Sequence, residues 1–495
     1  MRNKNDWKSL LRFLGIMLFA EGFLMALCTI PALHFHDGTA TPILHAAAFT
    51  VAVGVFLWYS YRRDTHIVDR RISYLLVVVL WSALALFATL PFLVTGSTTH
   101  SFTHSQIHAF SAAWFEAMSG VTSCGATVFP DVDDLPASIL LWRSMTQWFG
   151  GFGIVLLVLA LSPRLGINKY SLYTAEASGA DNSGHAPLRT IATVRRTLGV
   201  YLSLTLVFII LLWLSGMQMW DAVNLTFTNI SSGGFSVNSD SIASITHLQQ
   251  YILAAAMLFS GVNFSLLYLL LTLRWRQVRH KLDQFRFYIT LLLLSIGLVT
   301  AALHWHSSLP WNDALRYATV QTTSALTTTG SVVADYTIWW TPITFLLLIL
   351  SLCGGMAGST SGGLKIMRVI ILLRNARGTL RDRLHPNVVN PVRLNGNPVS
   401  SHIRGNVMVI FIIFGLTLML GIMGLMLCGV NANEAIGASV GCLTGYGPGL
   451  DASGGFGSYT HFSPSALWIC SLQMLLGRLE CMTVLIIFLP GFWRR

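Results

Sequence analysis

The chain has 495 residues, of which 54% are hydrophobic and only 10% charged. An ordinary soluble domain carries roughly 25% charge, and a mean hydropathy of +0.63 points instead to a bundle of membrane helices. Intrinsic disorder, collagen and a disulfide-stapled secreted scaffold are excluded; the net charge of +11 reads as a membrane orientation signal, with no nucleic-acid partner implied.

The start, Met1 to Lys8 followed by an apolar run, mimics a signal peptide. The run from Leu10 to Leu33 is too long for an h-region and no clear small-x-small site follows, so a retained first membrane helix is expected. A hydrocarbon core of about 30 Å needs about 20 apolar residues per helix. Candidate spans are 10–33, 40–61, 73–95, 138–162, 194–216, 249–273, 287–305, 338–374, 405–429 and 465–491. The fold class is an all-α polytopic membrane protein with ten spans, which puts both termini on one side. With that side inside, every Lys and Arg falls on inside segments except Arg143, Arg316, Lys365 and Arg478. This is the positive-inside pattern. Cys28, Cys124, Cys353, Cys428, Cys442, Cys470 and Cys481 form no CxxC pair, and most sit in apolar runs, so they read as small core residues.

Four outside connections share one design. Each carries an apolar stretch of about 12 residues, too short to span, followed by a Ser/Thr/Gly-rich segment. The segments are Ser119–Thr127, Asn229–Ser236, Ala325–Val332 and Cys442–Gly449. Asp221, Asp313 and Glu434 lie near the starts of three of the short helices, which suits a helix N-terminus. Asp131, Asp240, Asp335 and Asp451 each follow one of the loops, and with Asp37, Asp133 and Asp134 they form an acidic outer mouth that concentrates cations.

Irregular backbone at membrane depth is tolerated where it is buried in protein or lines a water-filled cavity. A half-helix entering from outside points its partly negative C-terminal end at the membrane centre. A following glycine lets carbonyls turn inward. Four such loops around one axis can replace the hydration shell of a potassium ion, as TVGYG loops do in potassium channels. Thr444-Gly-Tyr-Gly447 resembles part of that signature. Taken singly, each cluster is ordinary helix-packing material; four in equivalent places, with glycines at 125, 233, 330 and 447, favour function.

The eighth span is interrupted by Gly354, Gly355, Gly358, Ser359, Thr360, Ser361, Gly362 and Gly363, which cannot form a stable lipid-facing helix. Gly358 to Gly363 has Walker A spacing, but Leu364 stands where lysine is required and no strand leads in, so nucleotide binding there is rejected. Lys365 ends the segment and either snorkels or contacts its carbonyls. Arg478 lies inside the last span, where a centred arginine costs roughly 2.5–3.5 kcal/mol, so it faces protein or water. It is expected to line the cavity below the filter, near segment 354–363, as a barrier to cations. Glu480, two residues on, is expected to meet another helix, and Glu21 is read as structural. The His34/His36 and His304/His306 pairs are weak metal evidence. Gly150-Gly-Phe-Gly153 follows no strand and is read as helix packing.

The motifs then resemble one family. Trp142–Ile154, Gly354–Lys365, His385-Pro-Asn387, Gly447-Pro-Gly-Leu450, Leu476–Glu480 and the final Phe492-Trp-Arg are similar to those of the TrkH/KtrB family of potassium uptake subunits over essentially the whole chain. The resemblance implies four helix–half-helix–helix units folded around one pore, after an N-terminal helix pair. The boundaries are 1–68 for the pair and 69–165, 166–280, 281–376 and 377–495 for the units. It implies a filter at Thr122, Ser123, Cys124 and Gly125; Ile230, Ser231, Ser232 and Gly233; Thr327, Thr328, Thr329 and Gly330; and Thr444, Gly445, Tyr446 and Gly447. Segment 354–363 with Lys365 becomes a gating loop and Arg478 a pore barrier. The family commonly has threonine at Cys124, and the second loop lacks threonine too. Also implied are a homodimer, a bacterial inner-membrane location with cytoplasmic termini, potassium ions in the filter, no covalent cofactor, and a cytosolic TrkA-like regulatory subunit that alone carries nucleotide. The basic loops 164–195 and 376–402 suit either that subunit or anionic lipid.

A secondary transporter would show inverted repeats and midplane binding, whereas these repeats are parallel. A membrane enzyme is disfavoured because GxSxG, HExxH and paired intramembrane aspartates are missing. Coupling to protons or sodium as a symport, or passive flux, stays open at this level.

Overall fold

The computed structural model describes residues 4–63, 70–98, 105–161, 186–273, 278, 282–385 and 391–493. The described chain is helical except for one short hairpin, Arg393–Leu394 paired with Asn397–Pro398. Asn395 and Gly396 turn that hairpin with positive φ, the preference of a tight two-residue turn. Six described helices are long and apolar enough to cross a membrane, or eight if each of two bent pairs is one span. Ala40–Tyr61, Leu282–Ser307 and Ser401–Leu427 coincide closely with expected spans. Much of loop 164–195, Arg274, Arg276, Arg279, Lys281, Pro386, Asn387, Arg494 and Arg495 lie outside the described residues.

The N-terminal helices Lys4–Leu27 and Ala40–Tyr61 cross where Gly15, Gly22 and Gly54 let backbones touch. A Cβ on Gly15 would meet the Trp58 nitrogen at 2.5 Å. With no hydrophobic drive between helices in lipid, such close backbone packing supplies the association. Glu21 is buried there, and its Oε2 finds no partner among the described residues.

Four short helices form the centre: Gln106–Thr122, Met219–Ile230, Trp311–Leu326 and Ala432–Thr444. Their second halves are almost wholly buried, although rich in Ser, Thr and Gly. Further helices precede and follow each of them in the chain. The helix after the first, Ala137–Leu161, is continuous.

Two expected spans need correction. Residues 249–273 and 465–491 are not single helices. His247–Ser260 and Phe264–Leu271 meet at 107°, and Pro464–Arg478 and Cys481–Phe488 at 108°. In the first pair Asn263 caps the new helix by accepting from the Leu266 N–H at 3.1 Å. The Gly261 carbonyl is taken by the Met356 N–H at 2.9 Å. In the second pair Glu480 sits at φ 60° before the new helix. Lys365, at φ 70°, holds the same position before Ile366–Leu384, after the expected break of the eighth span.

Candidate functional site

The four central helices end alike. The N–H groups of Cys124, Gly233, Thr329 and Tyr446 reach back five residues to the carbonyls of Ser119, Thr228, Ser324 and Gly441, at 2.8, 2.8, 2.9 and 2.9 Å. The residue before each is left-handed: Ser123 at 54°, Ser232 at 57°, Thr328 at 54° and Gly445 at 72°. This is the Schellman closure of a helix C-terminus. The residue after each is a positive-φ glycine: Gly125 at 89°, Gly234 at 72°, Gly330 at 83° and Gly447 at 91°.

These glycines close a ring. A Cβ on Gly125 would lie 2.0 Å from the Gly233 oxygen, on Gly234 1.9 Å from the Thr329 oxygen, on Gly330 2.1 Å from the Tyr446 oxygen, and on Gly447 2.5 Å from the Cys124 oxygen. Each loop packs its glycine on the carbonyl of the next, and the fourth returns to the first. The loops therefore surround one axis.

The ring corrects one register. In the second loop the equivalent glycine is Gly234, one residue beyond Gly233. The matching stretch is Ser231–Gly234, and Ile230 matches Val121 inside the first short helix. Two adjacent glycines look alike in sequence; only the sign and packing of φ separate them. At the ring's inner end the hydroxyls of Thr122, Thr327 and Thr444 donate to carbonyls four residues back, at 2.6, 2.7 and 2.8 Å. The Ser231 hydroxyl donates to Thr228 at 3.0 Å.

Side chains behind the loops fix the backbone. The Cys124 thiol turns to the Gly441 carbonyl at 3.5 Å. Gln147 donates to the Gly233 oxygen at 2.9 Å and accepts from the Phe235 N–H at 3.1 Å. Gln321 donates to the Tyr446 hydroxyl at 3.1 Å. Tyr459 and Tyr336 donate to the Gly447 and Gly449 carbonyls, both at 2.8 Å. None of these four was singled out from sequence, although Gln147 lies within the Trp142–Ile154 run and is a polar residue on an apolar helix.

Outside the ring a cavity of about 70 Å³ is walled by all four glycines, Phe235 and Arg143. Arg143 is ion-paired with Glu116 at 2.8 Å, both almost fully buried, and donates to the Ser236 carbonyl at 3.0 Å. Two of the acids expected at the outer mouth also hold loop backbone or side chains in place. Asp131 accepts from the Ser239 hydroxyl at 2.6 Å, tying the first loop to the second. Asp335 caps the turn at Thr337 at 2.9 Å.

Inside the ring runs the glycine-rich segment. The Gly362 N–H donates to the Thr328 hydroxyl at 2.6 Å and the Gly363 N–H to the Thr444 carbonyl at 2.9 Å. The Thr360 hydroxyl donates to the Ile230 carbonyl at 3.1 Å and lies 2.8 Å from the Ser232 hydroxyl. Three of the four loops thus rest on this segment. Gly354, Gly358 and Gly363 take positive φ within it, and Ser359 and Ser361 are buried. A Cβ on Gly355 would meet Ser361 at 2.4 Å. Lys365 donates to the Ser361 carbonyl.

Arg478 closes the remaining side. Its guanidinium donates to the Thr360 carbonyl at 2.8 Å and to Gly150 and Gly151 at 3.1 and 3.3 Å. Among the described residues no carboxylate pairs with it. Glu480 meets another helix, pairing with Arg368 at 2.6 Å. His304 and His306 stack on Trp311 and Trp340, and no group of metal-ligating residues gathers among the described residues.

The family model for TrkH, described as a cation transport protein, matches residues 40–494. The chain belongs to the TrkH family. It is 31% identical to the Trk system potassium uptake protein TrkH of Salmonella typhimurium, with 99% of each chain covered. It is 32% identical to the TrkH of Vibrio parahaemolyticus, covering 99% of this chain and 100% of the relative. The crystal structure of the potassium transporter TrkH from Vibrio parahaemolyticus superposes with a TM-score of 0.88 at 29% identity, over 100% of both chains. TrkH-family proteins are transporters, so this chain is a multi-pass membrane transporter and not an enzyme.

Proposed function

We propose that this TrkH-family protein takes up potassium across the bacterial inner membrane through the axis of the four-loop ring. The closed ring of Gly125, Gly234, Gly330 and Gly447 carries the reading. It sets the C-terminal ends of four buried half-helices around one point, where their partial negative charge favours a cation. Backbone carbonyls there can stand in for lost hydration. The relatives named as potassium uptake proteins supply the ion's identity.

In this reading ten spans put both termini in the cytoplasm, in four units after the N-terminal helix pair. The glycine-rich segment with Lys365 obstructs the axis under the filter, Arg478 adds a positive barrier, and both move aside on opening. Ile230 belongs to the half-helix, and Gly234 replaces it in the filter set. The protein works as a homodimer with a cytosolic TrkA-like nucleotide-binding subunit, among anionic lipid. Potassium is cargo, and no covalent cofactor takes part.

Rescue of a potassium-uptake-deficient bacterium at low potassium tests the core of this. The protein is expected to restore growth, and Gly330→Ser to raise the potassium needed for it. Normal rescue by well-expressed Gly330→Ser contradicts the filter assignment.

A further inference from the structure

A second cavity, of about 430 Å³, opens between helices Ala186–Leu214 and Phe264–Leu271. Its lining includes Arg195, Arg196, Ser203 and Tyr268. In the sequence the apolar run of this helix follows directly on Arg195 and Arg196, so both arginines sit where a span meets the membrane interface. Arg196 lies over the Tyr268 ring at 5.3 Å, and no carboxylate pairs with either arginine among the described residues. The face carrying Gly199 and Ser203 continues, at helical spacing, to Leu206, which is 60% exposed; Leu271 on the other wall is 65% exposed. Two cations thus cap an apolar groove that runs toward the hydrocarbon.

The far end of the short helix is stitched to the glycine-rich segment. Asn263 donates to the Ala357 carbonyl at 2.5 Å, and the Phe264 N–H to Gly358 at 3.1 Å. Eight residues of helix span about 12 Å, so one short helix joins Tyr268 and Leu271 to these contacts.

We propose that an anionic phospholipid binds this cavity, its headgroup phosphate on Arg195 and Arg196 and its chains along Leu206 and Leu271, and braces helix Phe264–Leu271 against the glycine-rich segment. A guanidinium suits phosphate geometrically and electrostatically. A lipid that binds this arrangement favours it over others, and here the segment underlies the ring. Lipid occupancy therefore lowers basal ion flux. The binding claim stands apart from the transport reading; the flux claim rests on it.

The test is native mass spectrometry of the full-length protein with added phosphatidylglycerol or phosphatidylcholine. Wild type is expected to retain phosphatidylglycerol several-fold better. Arg195→Gln with Arg196→Gln removes the charge. Gly199→Leu keeps it but fills the groove, since nothing lies within 4 Å of a Cβ there. Both should lose the preference, while Arg62→Gln with Arg63→Gln keeps it. Undiminished retention in either pocket variant overturns the proposal. So does displacement of the lipid by millimolar inorganic phosphate, which would mark a site for soluble anions. In vesicles, phosphatidylglycerol should lower wild-type basal potassium flux several-fold and leave the pocket variants unmoved; equal lowering in all overturns the brace. If wild type conducts nothing in any vesicle, the transport reading fails while lipid retention still decides the site.

Discussion

At Gly233 the space a methyl group needs is held by the end of the Gln147 side chain, at 2.4 Å. At Gly234 it is held by the Thr329 backbone carbonyl, at 1.9 Å, and φ is +72°. A side chain can swing away; a carbonyl of the ring cannot, and a non-glycine residue there adds roughly 1–2 kcal/mol of backbone strain. Gly234→Ser should therefore abolish low-potassium growth, whereas Gly233→Ala should cost at most a few-fold in uptake. The reverse order, measured by rubidium tracer uptake at matched expression, would restore the register read from sequence. The buried Glu116–Arg143 pair is a separate matter of stability. Removing one partner leaves an uncompensated buried charge, at a cost of about 3–5 kcal/mol. Glu116→Gln should lower the detergent-solubilised melting temperature by several degrees, and pairing it with Arg143→Met should recover much of the loss. Of these details the sequence showed the glycines and the odd arginine. It could not show φ, nor which acid answers Arg143, because Glu116 lies 27 positions away on another helix.

Among the elements, the half-helices were legible because each is too short to span and is followed by Ser, Thr and Gly. The long glycine-rich break in the eighth span was legible for the same reason. The bends at Gly261–Asn263 and Leu479–Glu480 were not. One asparagine or glutamate in an apolar run barely alters hydropathy, and each bend depends on partners far along the chain: Gly358 and Ala357 for the first, Arg368 for the second. The bend at Gly261–Asn263 contacts the glycine-rich segment beneath the ring, and Arg478 spans from Thr360 to Gly150. Arg478→Ala removes three donated hydrogen bonds and a charge from this layer. It should raise basal potassium flux several-fold, as should deletion of 354–363 if the protein still folds. Unaltered, still regulated flux in a folded Arg478→Ala protein would remove Arg478 and the segment from gating.

Across the whole molecule the charge pattern, basic on one side and acidic near the four loops, organised the chain before any coordinate. It did not reveal that Asp131 and Asp133 bind Ser239 of the neighbouring loop, nor that a basic groove opens beside Arg195. Those depend on distant segments meeting. The central claim is that the glycine ring encloses one potassium path. It is tested most directly by the reversal potential of purified protein in liposomes under crossed potassium, sodium and pH gradients, for wild type and Gly330→Ser. Wild type should reverse close to the potassium equilibrium potential, and Gly330→Ser should shift toward that of sodium. A wild-type reversal that ignores the potassium gradient, or a Gly330→Ser protein identical to wild type, would contradict the claim.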